Sequence, residues 1–290
     1  TTTTSVTLNL ASTGANEMYI TNTAGCSAGG VWEAYSTLKA HILGQTNSTA
    51  TVYAKFRDLS LNESSCINDT IIHDNTLPTI AITVPLADGS TINSSNVSSV
   101  TLSGTCSEEG QNVTITGNAT GSAPCSGGTF STSLNFSAAP EGVVVVNAAI
   151  SDLAGNSQNV SRSFNKDTTP PTSPSISIAG GAAYTTTTAI TLTLGATGAT
   201  DMYVTNTASC GAGGIYEAFA VSKAWTLGQT NGTATVYVKF RDLNNNETAC
   251  INDIIIHDNL PPTVAITSPA NGSYIVASNQ AAFAVSGTCS

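Results

Sequence analysis

The chain has 290 residues, 8 of them basic and 18 acidic, so its formal charge is −10 and only 9% of it is charged. Mean hydropathy is +0.10 and the isoelectric point is near 4.4. Scarce charge with abundant β-branched residues excludes charge-driven disorder, the few scattered basic residues exclude a nucleic-acid footprint, and no apolar run approaches the ~18 residues that span a bilayer.

In chain order, the sequence predicts strands wherever Val, Ile, Thr and Tyr alternate with small polar residues between turn signals. These segments are SVTLNL from Ser5, TVYAKF from Thr51, SVTLSGT from Ser99, NVTITG from Asn112, TFSTSLNF from Thr129 and VVVVNAAIS from Val143. The stretch from Val31 to Leu43 has some helical character but no cap, and reads as a loop with at most one turn. Roughly seven short strands per ~90 residues predict an all-β chain of tandem immunoglobulin-like β-sandwiches.

An internal repeat sets the domain plan. EMYITNTAGCSAGGVWEAY from Glu17 returns as DMYVTNTASCGAGGIYEAF from Asp201, a shift of 184 residues. That interval holds two unlike units. Type A is read at 1–74 and 168–258, and type B at 75–167 and, as a beginning only, at 259–290. The joints are HDNTLPT at His73, KDTTPPTSP at Lys166 and HDNLPPT at His257. Proline fixes φ and restricts its neighbour, so these are short, stiff linkers. The second A unit opens with SPSISIAGGAAY from Ser173, a strand with no counterpart before Thr1. Both ends therefore read as incomplete, and the chain as a segment of a longer A-B-A-B array. Tyr53, Phe56, Trp32 and Tyr35 are expected to fill the A core, with Tyr237, Phe240, Trp225 and Tyr216 in the second copy.

Six of the seven cysteines form local pairs that respect the repeat: Cys26 with Cys66, Cys106 with Cys125, and Cys210 with Cys250. Cys289 matches Cys106, so its partner is expected outside the sequence given. No Cys-x₂₋₄-Cys spacing supports zinc. Disulfides predict an oxidising compartment, secreted or on a cell surface.

Catalytic signatures are not found, and no enzyme is expected. His73 and His257 occupy one linker position, and Trp225 stands where His41 would repeat. The pair Glu108-Glu109 suits a solvated turn better than an acid/base dyad. Lys55 and Lys239 are read as solvated strand lysines ahead of isopeptide donors. The motif with possible chemistry is an Asp followed by Asn four residues on, at Asp58/Asn62, Asp152/Asn156 and Asp242/Asn246. Turn chemistry alone accounts for it, because both side chains accept backbone N–H bonds. A sharper reading adds Ca²⁺, a hard cation that takes oxygen ligands. Linker Asp74 would approach Asp152 and Asn156, and Asp167 would approach Asp242 and Asn246. No cofactor is otherwise expected.

The segment SDLAGNSQNVSRSFNKDTTPPTSPSISI from Ser151 resembles the Asp-x-x-Gly-Asn … Asp-x-x-x-Pro joint of bacterial Ig-like repeats in large secreted and surface proteins, adhesins among them. The resemblance implies tandem sandwiches acting as a stalk or filament, some with calcium at the joints. The A units depart from it, since RDLSLNES and RDLNNNET lack the glycine. The expected role is therefore structural, with neighbouring copies or further repeats of the same chain as partners. The alternatives are a module binding a glycan or surface protein, through the Gly-rich aromatic loops at Ser27–Tyr35 and Gly211–Phe219, or a spacer attached to a secreted enzyme.

Overall fold

The computed structural model describes residues 1–278 and 280–290. Their regular structure is strand, broken by three single 3-10 turns. The chain divides into two compact units, Thr1–Thr168 and Thr169–Ser290.

The first unit begins with β1 (Ser5–Asn9), β2 (Glu17–Thr21), β3 (Trp32–Ala34), β4 (Leu38–Ile42), β5 (Ser48–Arg57) and β6 (Ile67–His73). They form a two-stranded sheet, β1-β4, and a four-stranded sheet, β3-β2-β5-β6. The stretch from Val31 to Leu43, expected to be a loop, thus contributes two strands. Its apolar residues pair with β2 and β1 instead of closing a helical face. β7 (Ile80–Val84), β8 (Ser90–Ile92), β9 (Val100–Cys106), β10 (Asn112–Gly117), β11 (Gly121–Pro124), β12 (Thr129–Leu134), β13 (Gly142–Ser151) and β14 (Ser157–Lys166) follow. They make a five-stranded sheet, β11-β10-β13-β14-β8, over a three-stranded one, β12-β9-β7. Alternation decides the faces: Val144, Val146, Ala148 and Ile150 point into the core, while Val143 points out. Phe136 and Phe164 meet there at 5.2 Å between ring centres.

The second unit holds β15 (Thr172–Ile178), β16 (Tyr184–Thr185), β17 (Ala189–Thr197), β18 (Asp201–Thr205), β19 (Tyr216–Ala218), β20 (Ser222–Thr226), β21 (Gly232–Arg241) and β22 (Ile251–His257). A three-stranded sheet, β15-β17-β20, covers a five-stranded one, β16-β22-β21-β18-β19. β23 (Val264–Ser268) and β24 (Ser286–Cys289) then pair with each other. Each of the three larger sets is two sheets face to face around one apolar layer, the immunoglobulin-like sandwich.

The aromatic core of the A units is smaller than expected. Phe56 and Phe240 are buried, and Tyr35 and Trp225 pack at the core's margin. Tyr53, Trp32, Tyr237 and Tyr216 are only half-buried and lie outside the buried clusters. The reason is strand parity. Positions 53 and 56 are an odd number apart, so one strand cannot turn both inward. Val52, Ala54 and Phe56 point in, and Tyr53, Lys55 and Arg57 point out.

Disulfides join Cys26 to Cys66, Cys106 to Cys125 and Cys210 to Cys250, and Cys289 is a free, exposed thiol. The A-unit bridges tie residues 40 apart in sequence. Loop-closure entropy makes such a bridge worth roughly 3–4 kcal/mol. Replacing Cys26 and Cys66 together by Ser is therefore expected to lower the unfolding free energy of the first A sandwich by about that amount in a denaturant titration. The B sandwich transition should not move.

Candidate functional site

The three Asp/Asn turns share one local structure. Asp58 Oδ1 accepts the amides of Ser60 and Asn62, and its Oδ2 accepts the Asn62 side-chain amide at 2.9 Å. Asp152 accepts the Asn156 backbone amide at 2.9 Å and its side-chain amide at 2.7 Å. Asp242 does the same for Asn244 and Asn246. These bonds favour the charged carboxylate. They hold Asp58 and Asp152 below the usual carboxylate range, with the Asn62 and Asn156 side chains as the largest cause.

The fourth residue of each turn is left-handed: Leu61 at φ 65°, Gly155 at φ 96° and Asn245 at φ 63°. The glycine missing from the A-unit motif therefore marks a difference of residue, not of backbone. Leu61 adopts a conformation that costs an ordinary L-residue roughly 1–2 kcal/mol.

At the first joint the structure brings linker and turn together. The Asn156 side-chain amide donates to the carbonyl of Asp74 at 3.0 Å. Asp152 and Asp74 line one shallow pocket with His73 and Glu108. The Asn156 N–H is turned toward Asp74, and both Asp152 oxygens accept from Asn156. Among the described residues no group of three His, Cys, Asp or Glu side chains is gathered to hold a metal. Asp167 donates its amide to Ile92 in the first unit, while Asp242 and Asn246 belong to the second.

Other residues that hold the linkers escaped notice in the sequence. His73 is buried, and its Nδ1 accepts the Asn47 amide at 3.0 Å; Asn47 Oδ1 then accepts the Asn75 amide at 2.9 Å. His257, Asn231 and Asn259 repeat that relay. The signal was the joint recurrence of Asn47 and His73 at 231 and 257. At the end of the B sandwich, Glu141 accepts from Lys166 Nζ at 2.7 Å, and from the Thr168 amide and hydroxyl at 2.9 and 2.6 Å. The Lys166 bond, with those from Thr168, pulls the Glu141 carboxyl down to about 2.

The remaining candidates have structural partners. Lys55 pairs with Glu63 at 2.8 Å and Lys239 with Glu247 at 2.7 Å. Arg57 lies over the Trp32 ring at 4.2 Å and Arg241 over Tyr216 at 3.9 Å. Gly30 sits against Tyr19, whose hydroxyl accepts its amide at 3.0 Å, and a Cβ there would meet the Ile20 carbonyl at 2.5 Å. These loop glycines serve close packing. His41 bonds Asn22 Oδ1 at 2.9 Å, as the Trp225 indole bonds Asn206 Oδ1 at 2.9 Å. Glu108 accepts from the Ser107 hydroxyl, and Glu109 from the amides of Gly127 and Gly128.

No protein-family model matches the sequence, and no curated protein matches it. Among solved structures it is similar to a tetra-tandem repeat in the extending region of a large adhesion protein (19% identity, 91% of this chain and 72% of that one, TM-score 0.29). It is also similar to a segment of a 1.5-MDa bacterial ice-binding adhesin (12%, 87% and 90%, TM-score 0.41) and to fibronectin(III)-like modules of Clostridium thermocellum CbhA (12%, 62% and 94%, TM-score 0.38). The sandwich fold stands on this chain's own strand order and register.

Two outcomes follow from these contacts. Leu61→Gly is expected to stabilise the first A sandwich by up to about 1 kcal/mol by removing the left-handed cost, read as a raised melting temperature. Because Glu141 has a depressed pKa, its stabilising bonds are fully present above pH ~4.5 and are lost as the pH falls toward about 2. Glu141→Gln should flatten the fall in stability across that window, measured by denaturant titration at stepped pH.

Proposed function

We propose that the chain is a structural segment of an extracellular or cell-surface repeat protein, in which tandem sandwiches act as spacers on stiffened joints. The observation that carries this reading is how completely the backbone of linker 74–79 is held. Asp74 N–H donates to Thr1 O, Asn75 N–H to Asn47 Oδ1, Thr76 N–H to Asp74 Oδ1 and Thr79 N–H to Ser107 Oγ, while Asp74 O accepts from Asn156. The first sandwich anchors one end of the linker and the second anchors the other, and Pro78 fixes φ between them. The corresponding bonds at Asp258, Asn259, Leu260 and Thr263 recur in the second unit. Three disulfides support a location in an oxidising compartment. The partners in this reading are further repeats of the same kind. The polar and aromatic side chains of the loops are spent on internal bonds, which disfavours a glycan platform and catalysis alike.

The joint is the place to test. In the whole chain, Asn156→Ala is expected to cost about 1–2 kcal/mol in the first unit. It should also increase motion between the first two sandwiches, seen as reduced residual dipolar couplings of one relative to the other. Unchanged couplings would refute a stiffened joint. Melting that rises with millimolar Ca²⁺ and falls back with EDTA would assign the joint to an ion in place of the direct bond.

A further inference from the structure

The sequence holds twelve Asn-x-Ser/Thr triplets, the acceptor pattern for a sugar linked through asparagine. The fold sorts them by what each asparagine side chain already does. Asn47 and Asn231 hold linker amides. Asn62 and Asn246 close the Asp turns, and Asn246 is fully buried. Asn93, Asn96, Asn118 and Asn135 each accept a backbone amide, from Ser95, Asn93, Val145 and Ser137 respectively. Asn68, Asn112, Asn159 and Asn271 make no side-chain hydrogen bond among the described residues.

Two of these four belong to the five-stranded sheet of the B sandwich, Asn112 on β10 and Asn159 on β14. Both are exposed, and so are Thr114 and Ser161, because residues two apart on a strand share a face. The middle residues turn the other way: Val113 is buried and Val160 packs against the core. β13 lies between the two strands, with Thr114 opposite Ala149 and Ala149 opposite Asn159. Its outward residues there, Val145, Asn147 and Ala149, carry no charge. Ser161 donates its hydroxyl to Asn147 Oδ1 at 2.7 Å, which leaves the Asn159 amide free on the same face. Each acceptor amide thus stands on an uncharged outer sheet surface, backed by a rigid strand and with no internal bond to give up.

We propose that Asn112 and Asn159 are acceptor sites for asparagine-linked sugars on the folded B sandwich. The co-reactant is a diphosphate-activated sugar presented by an external transferase. Asparagine Nδ2 bonds to the anomeric carbon, the bond from that carbon to the diphosphate oxygen breaks, and the diphosphate leaves with the electron pair. Nδ2 gives up one proton, and nothing is oxidised or reduced. A sugar so attached is bulky and solubilising. It leaves the linker asparagines Asn47 and Asn231 in their bonds, so modification of this face and stiffness of the joints are independent properties.

The test uses the whole folded chain, UDP-glucose and a purified N-glycosyltransferase that recognises Asn-x-Ser/Thr, read by peptide mass spectrometry. The expected result is one hexose at Asn112 and one at Asn159. Occupancy should be roughly tenfold lower at Asn47, Asn118 and Asn246, each of which must first lose a hydrogen bond. Short peptides spanning the same five triplets should be modified alike, which assigns the sorting to the fold. Asn112→Gln and Asn159→Gln should each remove one hexose and leave the melting profile unchanged. No hexose at either position of the folded chain overturns the proposal. Equal occupancy at Asn118 and Asn246 in the folded chain also overturns it, because the fold would then select nothing.

Discussion

Two thin sheets must hide each other's apolar faces, and that requirement organises the chain. A sheet of two to five strands has little area to spare, so each strand matters to the burial of those it faces. The comparison of the A sandwiches measures this directly. With β15 in place, Leu192, Leu194 and Ile255 are buried, whereas their counterparts Leu8, Leu10 and Ile71 are not. Charge is nearly unused in this balance. What holds the units is strand alternation, pairing and a cross-link that removes entropy from the unfolded chain.

The polar residues serve the same end. In each A unit the outer sheet face carries a ladder of a lysine and an arginine over two aromatic rings, closed by acidic partners at its ends. Exposed pairs of this kind stabilise little one by one. Here the rings bury the aliphatic stems, so the ladder covers a face that would otherwise present bare aromatics. At the joints, short Asn, Asp and Ser side chains satisfy linker amides that proline and extended backbone leave without ladder partners. A linker whose donors are so occupied is restrained by chemistry from both flanking sandwiches.

The all-β architecture was legible in the sequence because period-two alternation and a long internal repeat are both local or self-comparing signals. The Cys26–Cys66 and Cys210–Cys250 pairs were legible because the repeat carries both cysteines together. The Val31–Leu43 stretch was misread because short apolar runs look alike in helix and strand until a partner is known, and its partners, β1 and β2, are distant in sequence. Composition alone overfills the aromatic core, because positions 53 and 56 sit on opposite faces of one strand. The roles of Asn47 and Glu141 depend on bonds that reach 26 to 28 residues along the chain, and only Asn47, which recurs with His73 as Asn231 and His257, left a trace in the repeat.

The repeat also separates what a position must do from the residue that does it. His41 and Trp225 share no chemistry beyond a ring nitrogen, and each turns that nitrogen to the equivalent asparagine oxygen, of Asn22 and Asn206 respectively. Ser64 and Thr248 offer a hydroxyl to the amide of the core phenylalanine before them. Gly25 and Ser209 are both left-handed beside a cysteine that is itself left-handed, at φ 54° and 53°. In each pair a contact or a backbone angle is kept while the side chain changes. Imidazole and indole differ in protonation, nucleophilicity and reach, yet the bond to the asparagine oxygen is kept in both copies, and so are the left-handed turns.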